Sequence, residues 1–445
     1  MASAAEQLAA NLSFSAFRTA DELKKRIWFT LGALLVYRLG TYIPLPGIDP
    51  QALQAVFSQQ QSGIIGMFNM FAGGAVGRMA IFALNIMPYI TASIVIQLLT
   101  SVVPRLEQLK KEGESGRKQI NQYTRYGTVV LAAVQGYGIA IGLEGAQGVV
   151  VEPGFFFRAS AVITLVGGTV FLMWLGEQVT SRGVGNGISL IIFAGIVAEL
   201  PSALAGTLEL GRQGALSTFI ILALIIMVVV VIAFIVFMER AQRRLLVQYP
   251  KRQTAAGMAQ GDNSHLPLKL NTAGVIPPIF ASSLLLMPIT LANFSGDASG
   301  GALGTAAALL GRGQPAYMAL YAAGIIFFCF FYTSIVFNPN DTADNLKRYG
   351  GFIPGIRPGP RTAEYIDHVL TRLTVVGALY LTAVCLLPEM LINAYNVPFY
   401  FGGTSLLIVV NVTMDTVGQV QGHLFAHQYE GLIKKSKLGG KRRSS

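Results

Sequence analysis

Charge is what this chain has least of. Only 12% of its 445 residues are Asp, Glu, Lys or Arg, against 53% hydrophobic. Ordinary soluble domains carry about 25% charged residues, so membrane is the first class to consider. Cysteine is almost missing as well. Cys329 and Cys385 both fall in apolar runs and read as small core residues, not as a disulfide. The motifs of catalysis are absent too. His423 and His427 are four apart but lack the glutamate of H-E-x-x-H. Gly187-Ile188-Ser189-Leu190-Ile191 misses the second glycine of a nucleophile elbow. Gly440-Lys441 lacks the upstream glycine and the following Ser/Thr of a phosphate loop. These gaps argue against a zinc hydrolase, a serine hydrolase and a nucleotide-driven pump. The expectation is no enzyme, no metal and no cofactor. Residues 1–23 hold no apolar run, so no cleavable signal peptide is expected.

What the chain has is long apolar runs. Ten candidate spans lie near 25–43, 79–99, 123–143, 155–175, 185–200, 217–238, 272–292, 317–337, 371–391 and 401–421. The net charge of +11 is distributed unevenly between them. Arg18, Lys24, Lys25 and Arg26 precede the first span, and Arg105, Lys110, Lys111, Arg117 and Lys118 follow the second. Arg240, Arg243, Arg244, Lys251, Arg252 and Lys269 follow the sixth, and Lys347, Arg348, Arg357 and Arg361 the eighth. Six more basic residues, Lys434 to Arg443, fill the tail. The connections after spans one, three and nine hold none. Rich and poor connections alternate, which predicts cytoplasmic termini by the positive-inside rule. The 176–187 connection, with Arg182 alone, is a weak case. Topology and lipid head groups account for such clusters without any partner.

Ten spans divide into two sets of five, and an odd number per set forces the sets into opposite orientations. Ile86-Met87-Pro88-Tyr89-Ile90-Thr91-Ala92-Ser93 in span two matches Val275-Ile276-Pro277-Pro278-Ile279-Phe280-Ala281-Ser282 in span seven at Pro, Ile, Ala and Ser. Gly187-Ile188-Ser189-Leu190-Ile191-Ile192 in span five matches Gly403-Thr404-Ser405-Leu406-Leu407-Ile408 in span ten at Gly, Ser, Leu and Ile. An in-plane two-fold places equivalent residues at one depth only near the bilayer centre. Ile90, Ile279, Ile192 and Ile408 therefore suggest a collar around the axis. Ile86 and Ile188 lie one helical turn from their partners. Stiff β-branched side chains can line an apolar waist that gates by shedding water. Ordinary helix packing is the other reading of the same isoleucines.

The chain is organised around Gly63 to Leu99. Met79 to Leu99 is long enough to span. Gly63 to Gly77 is not, at roughly 22 Å for a ~30 Å hydrocarbon core. It carries Ile64, Ile65, Met67, Phe68 and Phe71, then breaks at Gly73 and Gly74. Pro88, Pro277 and Pro278 are expected to kink or loosen spans two and seven. Thr91, Ser93, Gln97, Asn271 and Thr272 can hydrogen-bond across a seam between those spans, each bond worth ~0.6–2 kcal/mol. Ionisable groups at span depth are few. Arg38, Arg78, Glu177 and Asp415 are the main ones, with Arg78 expected on backbone carbonyls or at the mouth of a pathway. A secondary transporter shares inverted repeats and broken helices but wants a polar midplane pocket. An intramembrane hydrolase wants a nucleophile or metal set.

Several long runs carry a family likeness: IIGMFNMFAGGAVGRMAIFALNIMPYITASIVIQLLT, KKEGESGRKQINQYTRYGT, FLMWLGEQVTSRGVGNGISLIIFAGIVAELP, NSHLPLKLNTAGVIPPIFASS, FFCFFYTSIVFNPNDTADNLKRYGGFIPGIRPG and VPFYFGGTSLLIVVNVTMD. From about Leu23 to Glu430 the chain resembles the SecY/Sec61 family of protein-conducting channels. The resemblance implies an all-α polytopic membrane protein with ten transmembrane helices. They form two inverted halves, 1–216 and 217–445, around a central pore. It implies that 63–78 is a plug and that Ile86, Ile90, Ile188, Ile192, Ile279 and Ile408 form the pore ring. Spans two and seven, with Pro88, Thr91, Ser93, Gln97, Asn271, Thr272 and Pro277, become a lateral gate. Arg243 and Arg244 in loop 239–270, and Arg357 in loop 338–370, become contacts for a SecA motor ATPase or a ribosome. Small subunits resembling SecE and SecG, signal peptides, precursor chains and lipid are the further partners implied. The place implied is the inner membrane of a bacterium. Two departures stand out. Thr254-Ala255-Ala256-Gly257 replaces more basic residues common in the sixth-to-seventh loop, and Pro278 stands beside Pro277 where a small residue is common.

Overall fold

The computed structural model describes residues 21–60, 69, 72–145, 148–213, 218–249, 253–254, 257–258, 263–294, 314–395 and 403–440. Within these the chain is overwhelmingly helical. In order, the helices are α1 (Asp21–Gly40), α2 (Pro50–Gln60), α3 (Met87–Val102), α4 (Pro104–Lys111), α5 (Glu114–Gly145), α6 (Phe155–Arg182), α7 (Gly187–Arg212) and α8 (Thr218–Arg240). After four short strands come α9 (Ile276–Phe294), α10 (Pro315–Val336), α11 (Pro339–Arg348), α12 (Pro360–Tyr395) and α13 (Gly403–Gly440).

Six stretches among the described residues are long and apolar enough to cross a bilayer, and a seventh follows if α3 and α4, bent by 98° at their join, count as one. The ten expected spans are not all reached by length and hydropathy. The shortfall has visible causes. Asp21, Glu22, Lys24, Lys25, Arg26 and Arg38 dilute α1. Only Ile276–Leu285 of α9 counts as an apolar helix. Asn411, Asp415 and Gln419 interrupt the apolar run of α13.

The chain divides into two compact units. The first takes 1–97, 108–202 and 408–445, the second 98–107 and 203–407. In the first, α5 and α6 form an antiparallel hairpin, with Gly136 of α5 facing Leu165 and Val162 of α6. Leu53 of α2, Met79, Ala83 and Leu84 pack on Ala132, Ala140 and Leu143 of α5 and on Phe157, Ala161 and Leu165 of α6. A file of rings, Tyr37, Phe82, Phe171 and Trp174, runs from α1 to α6 with centroid steps of 6.2, 5.9 and 5.8 Å.

Between α2 and α3, the described residues 72–86 are not helical. Residues 72–86 form consecutive turns, tied to the 41–45 stretch by Leu45 N–H to Met79 O at 2.9 Å and Ile81 N–H to Ile43 O at 2.9 Å. Met79 and Asn85 sit at φ 43° and 48°, a region costly for side-chain-bearing residues. Helix α6 passes this segment at Gly168, where a methyl group would collide with the Ile81 carbonyl. Gly168→Ala is expected to destabilise the protein by about 1–3 kcal/mol. The check is the unfolding midpoint in detergent. An unchanged midpoint would mean that this close approach is not part of the fold.

The second unit holds the strands. β1 (Gln242–Gln248) pairs antiparallel with β4 (Asn263–Lys269), and β2 (Gln253–Thr254) with β3 (Gly257–Met258). Gln248 and Phe352 add a further bridge, exchanging N–H to O bonds at 2.9 and 3.0 Å. Leu245, Val247, Leu268, Ile353 and Ile366 form the core below. In the helical part α10 packs on both α9 and α12. Phe280 meets Phe328 and Tyr332 edge-on, and the buried Tyr321 and Thr404 hydroxyls share a hydrogen bond at 3.1 Å.

Candidate functional site

The expected break falls at Gly73 and Gly74, with φ of 62° and 81°. Only glycine takes such angles at little cost. Space demands it too. A methyl group on Gly73 would come within 3.1 Å of the Gly195 Cα on α7, and one on Gly74 would reach Glu199 Oε1 at 2.5 Å. Of the plug residues, Ile64, Ile65, Met67, Phe68 and Phe71 lie outside the described residues, while Gly73 and Gly74 lie within them.

Two arginines clamp this break. Arg38 Nη1 of α1 donates to Gly73 O at 2.6 Å, and Arg78 Nη2 donates to the same oxygen at 2.9 Å. Arg78 Nε also donates to Thr41 O at 3.2 Å, and the Tyr37 hydroxyl donates to Ala72 O at 3.3 Å. Both guanidinium carbons stand near the Tyr42 ring, 4.9 and 4.3 Å from its centroid. Non-helical backbone needs partners for its polar groups at membrane depth. Arg38 and Arg78 supply them, so the carbonyl reading of Arg78 describes what it does.

The six isoleucines fall at helix starts. Ile86 precedes α3 and Ile90 lies in its first turn. Ile188 and Ile192 lie in the first two turns of α7, Ile279 in the first turn of α9, and Ile408 in the second turn of α13. Ile86, Ile90, Ile192 and Ile408 are buried, while Ile188 and Ile279 are half-buried. Five belong to the first unit and Ile279 to the second.

The prolines act differently from expectation. Pro88 is the second residue of α3, and Pro277 and Pro278 are the second and third of α9. First-turn N–H groups have no intrahelical acceptor, so proline there removes no helical bond. These prolines start helices and do not kink them. Pro201 in α7, Pro288 in α9 and Pro388 in α12 are the interior ones. Thr91 and Thr272 bond locally, to Met87 O at 3.1 Å and to Lys269 O at 3.3 Å. Gln97 Nε2 reaches Ser93 Oγ at 3.5 Å, and Gln97 Oε1 is buried with no hydrogen-bond partner among the described residues. Asn271 is only 4% exposed. It donates to Glu239 Oε1 at 2.7 Å and to Gly274 O at 3.1 Å, and accepts from Gly274 N at 3.0 Å. It therefore secures the root of α9 to the end of α8 within its own unit.

Arg243 and Arg244 on β1 are exposed, as is Arg357 in the 349–359 segment that the Gln248–Phe352 bridge joins to the hairpin. Two loops far apart in sequence thus share one platform. The groups that sequence reasoning missed are charge partners. Glu177 is held by Arg125 through paired bonds of 2.9 and 2.7 Å, across 52 residues. Glu144 is held by Arg158 and caps Gly154 N–H at 2.9 Å. Asp415 is exposed. No group of three His, Cys, Asp or Glu residues suited to a metal occurs among the described residues.

Comparison with known proteins is direct. A sequence model of the SecY family matches residues 80–417. The protein translocase subunit SecY of Escherichia coli K12 is 58% identical over 423 residues, 94% of this chain and 96% of that one. The corresponding subunit of Pseudomonas aeruginosa is 58% identical over 421 residues, 94% of this chain and 95% of that one. A solved protein conducting channel shares the fold with a TM-score of 0.67 at 18% identity, covering 90% of this chain and 92% of its own. Sec61 in a canine ribosome–channel complex from the endoplasmic reticulum gives a TM-score of 0.64 at 18% identity, with coverage of 90% and 92%. A family match over most of the sequence and relatives aligned over nearly all of it lead to one conclusion: this chain belongs to the SecY family.

Proposed function

We propose that this chain is the conducting core of a protein translocase: an unfolded, signal-bearing polypeptide passes through it, and membrane segments leave it sideways into lipid. The observation that carries the reading is the run of turns at 72–86, buried in protein and held by Arg38 and Arg78, because non-helical backbone at membrane depth survives only inside protein or beside a water-filled path. The ring of Ile86, Ile90, Ile188, Ile192, Ile279 and Ile408 closes around the moving chain and offers it no side-chain hydrogen bonds. The 63–78 element stoppers the resting conduit. Spans two and seven part to release hydrophobic segments. Ten spans in two inverted halves, 1–216 and 217–445, set up this arrangement in the inner membrane, with both termini in the cytoplasm.

The protein acts as a channel and not as a catalyst. Driving force comes from outside, from a SecA-type motor or a ribosome seated on the platform of Arg243, Arg244 and Arg357. The relative named Sec61 was solved in a ribosome–channel complex, which supports the second kind of partner. Small membrane subunits resembling SecE and SecG complete the assembly. The test is reconstitution of the purified chain with those subunits and the motor into proteoliposomes. A signal-bearing precursor should become protected from added protease in an ATP-dependent manner. No protected precursor, with a motor shown to be active, rejects the reading.

A further inference from the structure

The turn between α6 and α7 is held by side chains from three helices. Its N–H groups find partners one after another. Gly183 N–H bonds Val179 O at 2.8 Å, as the close of α6. Val184 N–H bonds Thr30 Oγ1 of α1 at 3.0 Å, and Gly185 N–H bonds Gln419 Oε1 of α13 at 2.8 Å. Gly187 N–H bonds Thr180 Oγ1 of α6 at 2.9 Å, and Asn186 caps α7 by accepting from Ile188 N–H at 3.1 Å. The Thr30 hydroxyl donates in turn to Arg26 O at 2.9 Å. Val184 is buried against Leu23 and Leu424.

The fit leaves no slack. A methyl group on Gly183 would collide with Thr30 Oγ1, and one on Gly187 with the Gly176 carbonyl. Gly185 has φ +87° and lies against Leu190 and Thr416. The turn can therefore neither slide nor rotate without breaking several bonds at once.

What rides on it are the first residues of α7. Ile188 follows Gly187 directly, and Ile192 comes one turn later. Gln419 lies eleven residues beyond Ile408 on α13, close to three full turns, so the two share a helix face. A slip of one residue turns a helix by about 100° and carries its side chains off their face.

We propose that Thr30 and Gln419 are positioning residues for the isoleucine constriction: by gripping the 183–187 turn they fix the depth and rotation of α7, and Gln419 fixes those of α13. This rests on the ring reading given above.

The test measures resting ion conductance in planar bilayers, with the assembled complex and no precursor. The variants are Thr30→Val with Gln419→Leu, which remove both acceptors at little change in size, and Thr30→Ser with Gln419→Glu, which keep them. Ile192→Ser is the reference for the ring itself. Thr164→Val, whose hydroxyl bonds Ser160 O within α6, controls for losing a half-buried hydroxyl. The Val/Leu pair is expected to raise conductance by some tens of fold, the factor set by two lost hydrogen bonds of ordinary strength. The Ser/Glu pair and Thr164→Val should stay at the parent level. If Ile192→Ser leaks and the Val/Leu pair does not, the positioning role falls and the ring stands. If Ile192→Ser does not leak, the ring reading itself falls. If the Val/Leu pair fails to assemble, Gln419→Leu alone is measured against Gln419→Glu, and equal conductance overturns the proposal.

Discussion

Serine at both Ile192 and Ile408 is expected to make the resting protein leak ions. Each substitution removes three carbon atoms and adds a hydroxyl. At ~0.8 kcal/mol per methylene, the pair lowers the cost of wetting the waist by at most about 5 kcal/mol. That corresponds to a rise in conductance of up to roughly a few thousandfold. Valine at the same positions keeps the surface apolar and should keep the seal. Both side chains are buried, so a packing role makes a competing prediction. Polar replacement would then lower the unfolding midpoint and leave conductance alone. Planar-bilayer recordings beside thermal unfolding separate the two, and unchanged conductance in the double variant would remove the ring from the function.

The sequence made some of this legible and hid the rest for physical reasons. The break at Gly73–Gly74 could be read because paired glycines have one main structural use in an apolar run. The prolines were misread because the same residue breaks a helix interior and begins a helix. Deciding between these needs the boundary, and residues 79–86 are apolar enough to pass for the outer third of a span. The structure makes them turns, and Pro88 thereby becomes a start. Asn271 looked like a seam residue because its partner Glu239 is 32 positions away, across the hairpin. The hairpin was hidden in turn. Arg243 to Val247 and Ser264 to Lys269 are too polar to stand out beside membrane spans, and their pairing is a long-range fact. Arg125 was missed because it was counted inside an apolar run, and only the fold brings Glu177 to it. The grip on the 183–187 turn was hidden most completely. Thr30 and Gln419 are unremarkable residues whose role depends on two helices passing the turn where a third ends.

Closing spans two and seven against each other should abolish export. Cysteines introduced along α3, at Thr91, Ser93 or Gln97, and along α9, at Ser282 or Ser283, offer several pairs, of which only those in reach will join. A disulfide holds Cα atoms about 4.4–6.8 Å apart. A helix with its side chains is about 10–12 Å across. A bridged pair therefore leaves no room for a signal helix to enter between the two spans, whatever the motor supplies. The two native cysteines, Cys329 on α10 and Cys385 on α12, are buried and not joined in a disulfide. Burial makes them poor competitors for an oxidant. Oxidation should bring precursor protection down to background, and reduction should restore it in the same vesicles. The resting conductance should stay low throughout, because the bridge fixes the side wall and not the waist. Full export by molecules shown to be cross-linked would mean that the two spans need not part. The sideways exit would then have to be sought elsewhere in the fold.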